Sequence, residues 1–237
     1  MSDRGITSYA AYIPRLRMAR ASIAAAHAWA MPGLKAAGKG ERAFCSWDED
    51  AITMSVDAVR ACLRTARANP VTALSFASTT APFADLQNAS LIAAASGLSH
   101  DIGSLDAGGS LRCATSALIR ALESSASGDT VVVAADKRHA KPASAQEMLY
   151  GAGAVAVRAG AGEVIARYLG SASAISQFVD HFRSEGQKYD YAWEERWVRD
   201  EAYLKIVPGV VARLLQTSGI NAADISYFCL PSTISGV

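Results

Sequence analysis

The sequence is poor in residues that hold metal ions, with four cysteines and four histidines among 237 residues. No two cysteines form a CxxC pair, and no histidine stands at a metal-ligand spacing from them, which argues against a zinc site. The sequence also lacks any dense run of one charge, and its net charge is only +1. Nucleic acid and anionic membranes are therefore not expected as main partners.

The first residues contain no apolar stretch of the length that a signal peptide or a membrane span requires. We therefore expect a cytoplasmic protein whose thiols are reduced and available for chemistry. What the sequence does contain is material for a core, since 51 % of its residues are hydrophobic and 19 % are charged. That composition is typical of a globular domain and not of a disordered chain.

Strand and helix patterns alternate along the first part of the chain. Short apolar runs predict strands at 6–13, 73–78, 102–106, 130–136 and 154–157. Alanine-rich runs and apolar residues at three- and four-residue steps predict helices at 18–29, 51–67, 88–97 and 113–127, with a loop at 31–40. The alternation and the short links predict a layered α/β domain with a mixed or mostly parallel sheet.

The composition changes after about residue 163. Residues 178–203 are dense in aromatic and charged side chains, which favours a cover over a binding cleft or a contact between subunits. An amphipathic helix is predicted at 201–217 and a strand at 227–230. We therefore divide the chain into residues 1–162, an intervening segment 163–200, and a further region 201–237.

One cysteine stands where a nucleophile would be expected. Cys113 follows a glycine loop at 108–110 and opens the predicted helix 113–127. Backbone N–H groups and the helix dipole favour negative charge there, so we expect a lowered thiol pKa and a site for an oxyanion during acyl transfer. The alternative interpretation is a small residue packed at a helix terminus, as we interpret Cys45 and Cys62.

Several motifs carry a family resemblance. They are YAAYIPR at 9–15, the acidic turn at 48–50 before a helix, the strand 73–78, and the run 105–117 around Cys113. In order and spacing they resemble 3-hydroxy-3-methylglutaryl-CoA synthases, and the strand 131–136 with its following glycines also resembles ketoacyl synthase III. The resemblance implies a thiolase-like αβαβα fold of two similar halves, with the first half complete at 1–162 and the second truncated at 201–237.

The same resemblance implies the site residues. It identifies Cys113 as the acyl-accepting nucleophile. It places Thr79 at the position of the family's acid/base glutamate and Cys229 at the position of its histidine. A threonine hydroxyl cannot move protons near neutral pH as a tuned carboxylate does, so two of the three catalytic groups of the family are replaced in this chain.

Other residues are candidates for the missing roles. His139, His181 and Glu185 are possible stand-ins, although a lone histidine is more often a surface or structural residue. A small basic cluster is a candidate for binding the phosphates of coenzyme A, with a solvated loop as the alternative interpretation. This cluster consists of Lys137, Arg138 and Lys141.

These features together predict an acyl-CoA condensing acyltransferase, of the Claisen or thiolytic type, that acts through an acyl group on Cys113. We expect coenzyme A thioesters as substrates, no tightly bound cofactor, and a homo- or hetero-oligomer with a thiolase-like chain. The alternative is a catalytically degenerate structural subunit of a larger thiolase-like complex. A third hypothesis is a module that binds coenzyme A without performing chemistry.

Overall fold

The computed structural model describes residues 4–65 and 69–230. The chain forms two compact units, Met1–Tyr168 and Leu169–Val237. The division at residues 162 and 200 stays a prediction, and the contacts within the chain place one boundary after Tyr168.

The first unit contains all five strands predicted for it. Its strands are β1 (Arg4–Tyr12), β2 (Leu16–Ala19), β3 (Glu41–Phe44), β4 (Val71–Ala77), β5 (Gly103–Ala107), β6 (Asp129–Asp136), β7 (Gly153–Ala161) and β8 (Ala166–Arg167). Its helices are α1 (Arg20–His27), α2 (Ala51–Leu63), α3 (Asn88–Ala95), α4 (Cys113–Glu123) and α5 (Ala145–Leu149), with a 3₁₀ segment at Pro32–Ala37.

Six strands form one mixed sheet in the order β5-β4-β6-β7-β1-β8. Strand β4 pairs in parallel with β5 and β6, whereas β7 pairs antiparallel with β6 and β1. The first five residues of β6 are buried, as expected for a central strand covered on both faces. The parallel pairing of β4, β5 and β6 brings their carboxyl ends to the same edge of the sheet.

Helices cover both faces of this sheet. Val131 of β6 belongs to the same core cluster as Met54 of α2. Its neighbour Val132 belongs to a second cluster with Ala117 of α4. Because successive side chains of a strand point to opposite faces, α2 and α4 lie on opposite sides of the sheet. The predicted layered α/β architecture is confirmed.

Helix α2 begins as its sequence predicts. Asp50 accepts a hydrogen bond from Thr53 N at 2.8 Å, and Thr53 Oγ1 accepts one from Asp50 N at 2.8 Å. This capping box satisfies two of the free N–H groups at the helix start. The helix ends at Leu63, so its predicted continuation to residue 67 is wrong at residues 64 and 65, while residues 66 and 67 lie outside the described residues.

Other predictions also differ from the structure. The helix predicted at 18–29 begins at Arg20, because the residues before it belong to β2, which pairs with β3. The loop predicted at 31–40 contains the 3₁₀ segment. Helix α4 ends at Glu123, where Ser124 turns extended, and Arg4 donates to Ala121 O and Ala126 O near this end.

A buried ion pair ties the sheet together near the start of β6. Arg158 Nε donates to Asp129 Oδ2 at 2.7 Å, and both residues are buried. The other Asp129 oxygen accepts from Asn69 Nδ2 at 3.1 Å, and Arg158 Nη2 donates to Asn69 O at 2.6 Å. The two charges therefore have hydrogen-bond partners as well as each other, which buried charges require.

The second unit is built of short strands and one long helix. Its elements are β9 (His181–Phe182), β10 (Tyr191–Ala192), α6 (Glu195–Val198), a π-helical segment (Arg199–Tyr203), α7 (Leu204–Ser218) and a 3₁₀ segment (Ala222–Asp224). The strand predicted at 227–230 is wrong, because these residues pair with no described strand. Residues 231–237 of the predicted second half lie outside the described residues.

Aromatic rings organise the segment 178–203. Phe178 stacks on Trp197 with ring centroids 4.5 Å apart, and Trp193 lies 5.3 Å from Trp197. Tyr191 continues the row, 5.9 Å from Trp193 and 5.2 Å from Phe182. Four of these rings remain exposed, those of Phe182, Tyr191, Trp193 and Trp197. The role of this segment as a cover or a subunit contact stays a prediction.

Candidate active site

The loop before α4 sets the position of Cys113, the first residue of that helix. Gly109 in this loop has a φ of +77°, which residues with a side chain rarely adopt. Ser78 N donates to Ala107 O at 3.0 Å, so the chain just after β4 is tied to the end of β5. Cys113 therefore lies at the carboxyl edge of the parallel strands, where α/β proteins form their sites.

The thiol of Cys113 is buried, with 8 % of the residue exposed. The Cys113 N–H donates to Ser110 O at 3.0 Å, and the N–H groups of Cys113 and Ala114 also face the sulfur. Burial raises the pKa of the Cys113 thiol, and the charge of Asp136 raises it further. The predicted lowering of this pKa is therefore wrong, because desolvation and a nearby carboxylate outweigh the helix N-terminus.

The carboxylate of Asp136 is held by the turn that follows β4. Asp136 Oδ1 accepts from Ser78 Oγ at 3.1 Å, from Thr79 N at 2.8 Å, from Thr79 Oγ1 at 3.1 Å and from Thr80 Oγ1 at 2.9 Å. Thr80 Oγ1 in turn accepts from Lys137 N at 2.8 Å. These contacts join the ends of β4 and β6 and fix the orientation of the carboxylate.

Cys113 and Asp136 line the same cavity, of about 330 Å³, which we call the nucleophile cavity. Tyr12 also lines it, and its hydroxyl donates to the carboxylate of Glu49. This hydrogen bond is the main cause that raises the pKa of Tyr12 to about 12, so the phenol stays protonated at neutral pH. The lining of the cavity thus includes a cysteine, an aspartate and a tyrosine.

Cys113 borders a second cavity as well, of about 620 Å³, between α4 and the strands β4 and β5. We call this cavity the α4 groove. Small and apolar residues make up most of its lining, and Arg112, just before α4, and Arg120, within it, contribute cationic side chains. Cys113 therefore lines two cavities of the first unit.

The structure brings Thr79 to the candidate site but not as a base. Its hydroxyl and its N–H both donate to Asp136. A carboxylate is therefore present close to the predicted glutamate position, but it comes from the neighbouring strand β6. Asp136 is a functional candidate that the sequence prediction missed, and the available signal was an acid at the carboxyl end of a buried strand.

Cys229 lies in the second unit, outside any helix or strand, and is exposed. The other two cysteines have the environments of structural residues. Cys62 is buried with Ser8 Oγ 3.3 Å from its sulfur, and Cys45 Sγ lies 3.8 Å from Met54 Sδ. Burial raises the pKa of both the Cys45 and the Cys62 thiol, as it does for Cys113, so the pKa does not separate the three cysteines. Cys113 differs from the other two by its position at the start of α4.

Two members of the basic cluster make contacts within the chain. Lys137 Nζ donates to Glu49 O at 2.5 Å, and the guanidinium of Arg138 lies 4.8 Å from the centre of the Tyr150 ring. Lys141 is exposed. Binding of coenzyme A phosphates by this cluster stays a prediction, with Lys141 as its most accessible member.

The three residues predicted to replace the missing catalytic groups are His139, His181 and Glu185, and they belong to different segments of the chain. His139 is exposed in the segment after β6. His181 Nδ1 lies 2.8 Å from Asp180 Oδ1, and Glu185 is exposed in the turn between β9 and β10. A catalytic role for any of them stays a prediction.

The described ranges hold neither a metal-binding cluster nor a membrane-spanning helix. No three His, Cys, Asp or Glu side chains among residues 4–65 and 69–230 are grouped to hold a metal ion. In the same ranges no helix combines the length and the hydropathy that crossing a membrane requires.

Comparison with known proteins supports the resemblance of the motifs, although no family model matches the chain. The hydroxymethylglutaryl-CoA synthase of Pyrococcus furiosus is 28 % identical over 234 residues, which cover 96 % of this chain and 65 % of that protein. This chain therefore spans about 65 % of the length of the curated relatives that it matches first.

Solved structures agree with this relationship. A structure of HMG-CoA synthase complexed with CoA matches with a TM-score of 0.82 and 15 % identity, covering 95 % of this chain and 59 % of that one. The 3-oxoacyl-(acyl carrier protein) synthase III of Pseudomonas aeruginosa matches with a TM-score of 0.77 and 20 % identity, covering 94 % and 73 %. The chain is thus similar to hydroxymethylglutaryl-CoA synthases and has the thiolase-like fold.

Proposed function

We propose that this chain is the nucleophile-bearing part of an acyl-CoA condensing acyltransferase in which Cys113 carries the acyl group. The observation that carries the proposal is the position of Cys113 at the start of α4, in one cavity with the carboxylate of Asp136. The names of the relatives support it, because they are hydroxymethylglutaryl-CoA synthases and one solved neighbour is complexed with CoA.

The first step is transfer of the acyl group to the thiol. Because the pKa of Cys113 is raised, the thiol must lose its proton to a base, and Asp136 is the carboxylate available in the cavity. The sulfur then attacks the thioester carbonyl, and the Ala114 N–H, which faces the sulfur, is a donor available to the oxyanion. Collapse breaks the bond to the coenzyme A sulfur, which leaves as a thiolate and takes up the proton.

In the condensing direction, the second step joins a carbon nucleophile to the acyl group on Cys113. In the thiolytic direction, Cys113 receives an acyl fragment. With a threonine at position 79, deprotonation of an acyl-CoA by the family's glutamate is not available to this chain. A decarboxylating donor needs no base to form its carbanion, and a thiolytic reaction uses coenzyme A itself as the nucleophile. We therefore favour these two reaction types over hydroxymethylglutaryl-CoA synthesis.

Labelling of the thiol tests the proposal. The full chain is incubated with radiolabelled acetyl-, butyryl- and octanoyl-CoA, digested, and analysed by mass spectrometry for a thioester. We expect label on Cys113 that is lost in Cys113→Ala and kept in the matched variant Cys45→Ala. Absence of label on Cys113 with every chain length, also in the presence of a thiolase-like partner chain, would overturn the proposal.

A structural subunit is the second candidate, and a specific observation favours it. The resemblance assigns position 79 to the family's glutamate, and the Thr79 found there donates to Asp136 from both its N–H and its hydroxyl. The two hypotheses differ in what Cys113→Ala does to a reconstituted complex with a thiolase-like chain. Loss of activity with intact assembly supports the enzyme, whereas unchanged activity in a complex that requires this chain supports the structural role.

A further inference from the structure

The α4 groove has the nucleophile at one end. Its wall is α4, and its floor is formed by β4 and β5. Small and apolar residues such as Ala73, Leu105 and Ala117 line it, together with five serines and Thr130, so its apolar part can pack against an acyl chain. Its volume of about 620 Å³ is larger than an acetyl group requires.

The spacing along α4 puts a cation at a defined distance from the thiol. Residues 113, 117 and 120 recur at steps of four and three along α4, so they share one face of the helix, and all of them line the groove. Arg120 follows Cys113 by seven residues, which is about 10 Å along the helix axis at roughly 1.5 Å per residue. The two residues therefore line the same groove at a defined separation along the helix.

The groove is cationic in spite of its apolar floor. Its described lining includes Arg112 and Arg120 and no Asp or Glu. Arg120 has no ion-pair partner among the residues that the structure describes. A guanidinium offers a planar fork of donors that matches a carboxylate, so the groove combines an apolar path with an anion-binding end.

We infer that the α4 groove binds the acyl chain carried by Cys113 and that this chain ends in a carboxylate paired with Arg120. The substrate class is therefore a coenzyme A thioester of a dicarboxylic acid, and the inference rests on the proposed function of Cys113. Acylation of Cys113 forms one thioester and breaks another, and the distal carboxylate keeps its charge throughout. The pair with an exposed arginine is screened by water, so the expected preference is modest.

The test compares substrates of equal chain length. Rates of Cys113 acylation are measured by mass spectrometry on the full chain with glutaryl- against valeryl-CoA and adipyl- against hexanoyl-CoA. We expect the dicarboxylic member to react about two- to fivefold faster in at least one pair. In Arg120→Gln this ratio falls to about one, and in Arg120→Lys part of it remains. The matched control Arg64→Gln, an exposed arginine at the end of α2, keeps the ratio.

Three outcomes separate the hypotheses. Equal rates within each pair, with label on Cys113, overturn the groove inference and leave the proposed function intact. If Arg120→Gln raises the half-saturating concentration of every thioester, the groove inference is also overturned, because Arg120 then binds the coenzyme A moiety. Absence of label from every thioester overturns the proposed function itself.

Discussion

The two units of this chain differ in how much of their structure is buried. The first unit has a core on both faces of a six-stranded sheet, and its charges at Asp129 and Arg158 are enclosed by it. None of the described residues from 169 to 230 is buried, and in α7 half-buried residues alternate with exposed ones.

The two units also contain two cysteines that the resemblance assigns to one catalytic site. Cys113 is buried, begins a helix and shares a cavity with a carboxylate. Cys229 is exposed and lies outside any regular element. The difference teaches that contacts within the first unit fix the surroundings of Cys113, including the carboxylate of Asp136. The described structure of the second unit does not fix the surroundings of Cys229 in the same way.

The largest effect that tests this comparison is on stability. The ion pairs Arg158–Asp129 and Arg199–Asp200 have the same N–O distance of 2.7 Å, but only the first is buried. Arg158→Met leaves an uncompensated carboxylate in the core, so we expect it to lower the free energy of unfolding by about 3–5 kcal/mol. Urea denaturation followed by circular dichroism measures the change.

The matched variant is Arg199→Met, in the second unit. Its pair is exposed, so water replaces the lost contact and we expect no measurable change in the urea midpoint. Equal losses in the two variants would contradict the view that burial separates the two units.

The next effect concerns the two thiols. At pH 7.5 iodoacetamide should modify Cys229 well before Cys113, because Cys229 is exposed whereas Cys113 is buried and its pKa is raised. Site-resolved mass spectrometry over time measures both rates in one sample, so each thiol is the control for the other. Faster modification of Cys113 would mean that its cavity activates the thiol instead of protecting it.

The order of the elements, and the position of Cys113 at the start of a helix after a glycine loop, were predictable from the sequence because they depend on local patterns. Apolar runs mark the strands, and the glycines before Cys113 mark a tight loop into a helix. The pKa of Cys113 was not predictable, because it depends on burial and on Asp136, which is distant in sequence. Only the parallel pairing of β4 with β6 brings Thr79 to that carboxylate.

Two errors in the fold have the same origin in long-range pairing. The residues 16–19 form a strand because β3 pairs with them, which overrides their helical composition. The residues 227–230 have a strand-like composition but no described partner, and an apolar run alone does not make a sheet.

A smaller effect tests the charge of Asp136. The thiolate is the reactive form of Cys113, so a raised pKa displaces its alkylation rate profile to higher pH. Asp136→Asn keeps an oxygen that accepts the same hydrogen bonds but removes the negative charge. We expect the profile to move to lower pH in this variant and to stay in place in Asp101→Asn, a change at an exposed site in the same unit. An unmoved profile in Asp136→Asn would mean that burial alone sets the reactivity.

The smallest effect compares two glycines, one in each unit. Gly109 has a φ of +77° in the loop that mounts Cys113, so Gly109→Ala strains the backbone and should cost about 1–2 kcal/mol in the free energy of unfolding. Gly209 lies inside α7, where an added Cβ meets nothing within 4 Å, so Gly209→Ala should stabilise the helix by about 0.5–1 kcal/mol. The two variants add the same methyl group, and opposite shifts of the urea midpoint would show that the Cys113 mount depends on a backbone shape that only glycine adopts without strain. If Gly109→Ala is neutral, the loop can refold around an ordinary residue, and the position of Cys113 is then set by α4 and the sheet alone.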